Sequence, residues 1–139
     1  MKNDFVSSGR AVSDMKAHLV LTTKYRRKAF TGEILKRLHE ILSDLCQKWD
    51  CKLIEFNGEA NHIHLLFQYY PQMDLPKFVN NIKSVSSRRV RSEFADHVNS
   101  LYWKDVLWNE SYFIASCGGV TVSVLRQYIE NQNSPDASA

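Results

Sequence analysis

At 139 residues the chain fits one globular domain with a real hydrophobic core and leaves little room for a second. Hydrophobic residues make up 44% and aromatics 12%, which excludes a disordered or fibrous protein. The net charge of +3 is too mild to identify a nucleic-acid binder by itself, and no apolar run reaches the ~20 residues of a membrane helix.

The opening MKNDFVSSGRAVSD lacks the apolar stretch of a secretory signal, and Cys46, Cys51 and Cys117 form no CxxC pair. A cytoplasmic protein with free thiols is expected. Residues 1–139 read as a single domain, with about 1–15 and 133–139 as flexible tails.

Ala17 to Thr23 has the composition of a β-strand and runs into the basic group Lys24-Tyr25-Arg26-Arg27-Lys28. Thr31 is a candidate N-cap, and Ile34, Leu35, Leu38, Ile41, Leu42 and Leu45 recur at the spacing of an amphipathic helix. Lys52 to Phe56 reads as a second strand, Asn57-Gly58 as turn chemistry, and Ala60 to Tyr70 as an antiparallel partner. Asp74 caps a second helix with Pro76 in its first turn and Leu75, Phe78, Val79, Ile82 and Val85 on its apolar face. Ser84, Ser86, Ser87, Arg88, Arg89 and Arg91 occupy the rest of its circumference. Two short aromatic runs, Val106 to Trp108 and Tyr112 to Ala115, precede Gly118-Gly119 and a last helix from about Thr121 to Gln132. The order β-α-β-β-α-β-α predicts an α+β, ferredoxin-like split β-α-β sandwich, an antiparallel sheet with helices on one face and the other face open.

Alternation along the third strand puts Ile63, Leu65 and Phe67 on the helix-packed side and His62 and His64 on the open side. Two imidazoles with Cα atoms ~7 Å apart can converge on one cation. Surface or hydrogen-bonded histidines produce the same pattern. In the last helix Tyr128 and Gln132 are four residues apart and share a face, so one can attack while the other coordinates; an ordinary aromatic anchor is the competing reading of Tyr128.

His62-Ile63-His64 followed by Leu65-Leu66, the run Thr22-Thr23-Lys24-Tyr25-Arg26-Arg27, the segment Leu107-Trp108-Asn109-Glu110-Ser111-Tyr112 and the terminal Tyr128-Ile129-Glu130-Asn131-Gln132 together resemble the small single-tyrosine HUH transposases of the smallest bacterial insertion sequences. The resemblance spans about residues 16–132. It implies a metal-dependent strand transferase acting on single-stranded DNA with hairpin ends. His62, His64 and Gln132 would hold Mg²⁺ or Mn²⁺, and Tyr128 would attack the scissile phosphate to leave a 5′-phosphotyrosine and a free 3′-OH. It also implies a homodimer in which the tyrosine helix of one subunit can complete the other's site, with Gly118-Gly119 as a hinge. Asn61 stands where an acidic residue is common in the family, which would alter a contact to the histidines without removing the metal.

Lys24, Arg26, Arg27, Arg88, Arg89 and Arg91 are the candidates for phosphate contacts, and Tyr25, Trp108 and Tyr112 for stacking on unpaired bases. Two other readings compete: a non-catalytic binder of single-stranded RNA or DNA on the same frame, and another HUH endonuclease such as a replication initiator. The latter commonly carries a lysine or a second tyrosine where this chain has Gln132.

Overall fold

The computed structural model describes residues 15–116 and 127–131, and the backbone alone of 6–8 and 11–13. The elements are β1 (Val6–Ser8), β2 (Ala11–Ser13), β3 (Met15–Thr23), α1 (Gly32–Lys48), β4 (Lys52–Glu59), β5 (His62–Tyr69), α2 (Leu75–Glu93), α3 (Ala95–Asn99) and β6 (Trp108–Ser116). Residues 127–131 form a final helical segment. Within the opening residues, β1 and β2 pair as a small antiparallel hairpin. Gly118-Gly119, Cys117, Gln132 and the tail from 133 lie outside the described residues.

Four strands form one antiparallel sheet in the order β4-β5-β3-β6. The chain places β5 beside β3 through the long α1 connection and returns through α2 to add β6 on the far side of β3. That is the predicted ferredoxin-like frame. Both long helices start where the sequence indicates: the Thr31 hydroxyl accepts from the Ile34 amide, and the Asp74 carboxylate accepts from the Lys77 amide. Their apolar stripes, Ile34, Leu38, Ile41, Leu42 and Leu45 on α1 and Phe78, Val79, Ile82 and Val90 on α2, bury against Leu19, Leu21, Ile63, Leu65 and Phe67 of the sheet. Each large side chain so buried contributes about 1.5–3 kcal/mol. Trp49 Nε1 donates to Asn81 Oδ1 at 3.0 Å, and Arg37 makes paired contacts of 2.7 and 3.1 Å with Glu93, tying α1 to α2. Among the described residues no helix is long and apolar enough to cross a membrane.

Three local expectations change. Asn57 and Gly58 are not the turn; they pair with His64 and Ile63 inside β4, and the chain reverses at Ala60-Asn61. The reason for the glycine is close approach. A Cβ at Gly58 would lie 2.6 Å from Leu35 Cδ2 and 3.2 Å from Ile63 Cγ2, so α1 sits where a side chain would otherwise stand. Of the two aromatic runs near the end, Val106 and Leu107 precede the strand, and Trp108 joins Tyr112 to Ala115 in β6, whose register slips against β3 between Leu21 and Thr23. Finally, Ser86 is not on the outer face of its helix. It is fully buried, its hydroxyl 2.5 Å from Ile82 O, and it accepts the Trp108 indole N–H at 2.9 Å. Ser86→Ala is therefore expected to lower unfolding free energy by about 1–3 kcal/mol, because the indole N–H stays buried without a partner. Urea unfolding checks this, and an unchanged midpoint would sink it.

Candidate active site

The open face of the sheet collects the titratable side chains. On β5, Ile63, Leu65 and Phe67 are fully buried against the helices, so alternation turns His62 and His64 to the other side. His62 is 8% exposed, and its Nδ1 lies 2.9 Å from Asn61 Oδ1. An amide oxygen only accepts, so Nδ1 carries the proton and Nε2 keeps its lone pair. Asn61 thus orients the first histidine, the contact the sequence placed at this position.

His64 is half-buried, with Nε2 2.9 Å from His18 Nδ1 and the two rings stacked at 5.1 Å and 20°. Burial holds the pKa of both His62 and His64 below the ordinary 6.5, and the neighbouring His18 lowers His64 further. Both imidazoles are neutral at pH 7, the form that binds a cation. His18 itself is absent from the sequence-level site. It pairs with Leu66 in the β3–β5 register and so shares the face of His64; period-two spacing within β3 shows the face, but only the register shows the neighbour.

Tyr128 reaches the same face. His64 pairs with Val20, and Val20 pairs with Phe113 of β6, so these three stand in one row across the sheet. The Tyr128 ring packs on Phe113 with centroids 4.7 Å apart. Two strand spacings of ~4.8 Å separate the backbone of the β5 histidines from the strand under the phenol. Burial raises the Tyr128 pKa above its usual value, and a hydrogen bond with Ser111 partly offsets this. Ser111 lies within the irregular stretch of β6, where Lys83 Nζ donates to the carbonyls of Asn109 (2.9 Å) and Glu110 (3.0 Å). The fourth predicted member, Gln132, lies outside the described residues.

Among the described residues no three His, Cys, Asp or Glu side chains group as a metal site. Two neutral imidazoles, one held by Asn61 at Nδ1 so that its Nε2 keeps its lone pair, suit a divalent ion that takes its remaining ligands from an amide and from phosphate oxygens.

The basic candidates fall at two places that meet on segment 101–106. Lys24, Tyr25 and Arg26 make a tight turn after β3 in which Tyr25 (φ 57°) and Arg26 (φ 52°) are left-handed, a conformation costing about 1–2 kcal/mol per non-glycine residue. The turn is held by Thr23 Oγ1 donating to Arg27 O at 2.7 Å and by Lys24 N donating to Leu107 O at 2.8 Å. Arg27 donates to Leu101 O and stacks between Tyr25 and Tyr102, 5.2 and 5.3 Å from their centroids. From α2, Arg91 reaches Ser87 at 3.1 Å and Asp105 at 3.3 Å, Arg89 pairs with Glu93 at 3.8 Å, and Arg88 is exposed. Of the proposed stacking residues, Tyr25 is exposed. Trp108 is not available: it is buried and spends its N–H on Ser86. Tyr112 packs on the core with Lys83 Nζ 5.6 Å over its ring.

The four-stranded antiparallel sheet with its helices is a fold shared with solved transposases. A crystal structure from Deinococcus radiodurans R1 described as a transposase superposes with a TM-score of 0.80 at 33% identity, covering 91% of this chain and 97% of that one. The structure of a REP-associated tyrosine transposase bound to a REP hairpin has the same fold at 11% identity (TM-score 0.54, covering 89% of this chain and 68% of that one). In sequence, the family model "Transposase IS200 like" matches residues 11–132. The ISDra2 transposase TnpA of Deinococcus radiodurans is 31% identical over 125 residues, 90% of this chain and 89% of its own length. The transposase of insertion sequence element IS200 from Salmonella typhimurium is 31% identical over 121 residues, 87% of this chain and 78% of its own. The chain belongs to the IS200-like transposase family.

Proposed function

We propose that this transposase cuts and rejoins single-stranded DNA at hairpin-bearing element ends, with Tyr128 as nucleophile. The phenolic oxygen forms a bond to a backbone phosphorus as the bond from that phosphorus to the 3′ oxygen breaks. The phenol loses its proton and the departing 3′ oxygen gains one, leaving a 5′-phosphotyrosine and a 3′-OH. The phosphoester energy is retained, so a second 3′-OH can reverse the step on a new strand.

His62, His64 and Gln132 would hold Mg²⁺ or Mn²⁺. Such a cation, when bound, polarises the phosphate and offsets its developing charge. Asn61 fixes the His62 ring by its 2.9 Å contact, and Ser111 orients the Tyr128 hydroxyl. The row His64–Val20–Phe113, with Tyr128 packed on its end, is the observation that carries this reading. A ring that served only as an anchor would need no imidazoles on the same face. Lys24, Arg26, Arg27, Arg88, Arg89 and Arg91 supply phosphate contacts. Hairpin DNA as partner follows from the likeness to the hairpin-bound relative, and a homodimer from family resemblance.

The test is incubation of the full chain with end-labelled single-stranded element ends and Mg²⁺ or Mn²⁺. A denaturation-resistant protein–DNA band that EDTA prevents is expected. Tight DNA binding with no such band under either metal would favour the non-catalytic binder instead.

A further inference from the structure

The 101–106 segment and the turn after β3 form a cavity of about 480 Å³ lined by Lys24, Tyr25, Arg27, Tyr102, Trp103, Lys104 and Val106. Its volume falls in the ~300–1,000 Å³ range of small-ligand sites. Three of the lining residues are aromatic, three are cationic, and none is acidic. The neighbouring carboxylate of Asp105 is engaged by Arg91 at 3.3 Å. Trp103 is 98% exposed, whereas the other two tryptophans are packed: Trp49 against Phe78 and Trp108 against Phe30.

An indole held this far in water has no packing role. The walls around it are nonetheless built. The Tyr102 hydroxyl donates to Lys24 O at 2.7 Å, Arg27 donates to Leu101 O, and Arg27 fills the space between the Tyr25 and Tyr102 rings. The left-handed pair Tyr25 and Arg26 is a strained turn kept in place by these contacts, and it turns the Tyr25 ring outward at 49% exposure. A rigid, cation-rimmed pocket with a free aromatic face complements one ligand chemistry: a flat π system joined to a phosphate.

We infer that this pocket binds one unpaired nucleotide, its base stacked on Trp103 and its flanking phosphate held by Lys24 and Lys104. The inference rests on the DNA reading above but assigns a second site, on segment 101–106 rather than on the histidine face. Base stacking on an exposed aromatic is sequence-tolerant, so the pocket grips single strands and leaves sequence choice to other contacts.

The experiment uses the full chain and a labelled (dT)10 oligonucleotide, with affinity read by anisotropy over a salt series and binding also followed by tryptophan fluorescence. Trp103→Ala is expected to weaken binding by about 5- to 150-fold, the equivalent of one base–aromatic stack of ~1–3 kcal/mol, with an unchanged salt slope. Lys104→Ala is expected to lower the slope of log K against log salt by ~0.7, the value for one single-strand phosphate contact. Wild-type fluorescence should fall on titration, and the Trp103→Ala signal should not, because Trp108 is buried and Trp49 is packed on Phe78 with its N–H spent on Asn81. Full exposure makes misfolding of Trp103→Ala no explanation for a loss. Wild-type binding that Trp103→Ala leaves intact, or quenching that persists without Trp103, overturns the pocket alone. A wild-type chain that binds no (dT)10 also overturns the pocket, and adduct formation on hairpin-bearing ends then decides the DNA reading separately.

Discussion

Tyr128→Phe is expected to abolish the covalent protein–DNA adduct, a loss on the order of 10⁴-fold or more in strand cleavage, while single-stranded DNA is still bound. The change removes one hydroxyl from a half-buried ring and keeps its packing on Phe113. The stability cost is about 1 kcal/mol, the hydrogen bond with Ser111. Burial raises the phenol pKa, so the nucleophile is protonated at neutral pH and its deprotonation lies on the path to attack. Wild-type single-turnover cleavage should accordingly speed up as pH rises through the neutral and mildly alkaline range. An adduct that survives in Tyr128→Phe would transfer the role to another residue. Mixing Tyr128→Phe with His64→Ala subunits adds a separate readout: one intact site is regenerated when the helix is exchanged between subunits, and none when each helix serves its own sheet.

The second large effect is on the cation. His62→Ala and His64→Ala should each remove measurable binding of Mn²⁺, read by calorimetry or by Mn²⁺ relaxation on the protein without DNA. The pH dependence has a definite sign. Both imidazoles have folded-state pKa values depressed below 6.5 by burial, so protons compete with the cation only below that value and affinity is flat near pH 7. The same depression acts on folding. Below pH 6.5 the unfolded chain binds protons that the folded one refuses, so stability falls as pH drops until the folded-state pKa is passed. Each alanine variant should show a shallower acid decline than wild type. Undiminished Mn²⁺ binding in both variants would remove these residues from the cation site.

Local signals were enough for the long elements. The stripe from Ile34 to Leu45, the caps at Thr31 and Asp74, and the alternation of Ile63, Leu65 and Phe67 against His62 and His64 each follow from spacing that any fold must respect. They determined the α+β class, the strand and helix order, and the face on which the histidines stand. The candidate residues stood out for the same reason, since a pair of imidazoles on one strand face and a tyrosine in a late helix are local patterns.

Only the tertiary structure decided what depends on register and on contacts between distant residues. His18 meets His64 because β3 and β5 pair with Leu66 opposite His18. Gly58 serves the approach of Leu35 rather than a turn, and Ser86 turns inward because Trp108 brings it an indole N–H from 22 residues away. Trp103 looks in sequence like any aromatic beside Tyr102, and its exposure appears only when Tyr102 is drawn in to the carbonyl of Lys24. Periodicity reports which way a side chain points within its own element; it carries no information on which residue of another element stands opposite, and that pairing is what builds a site.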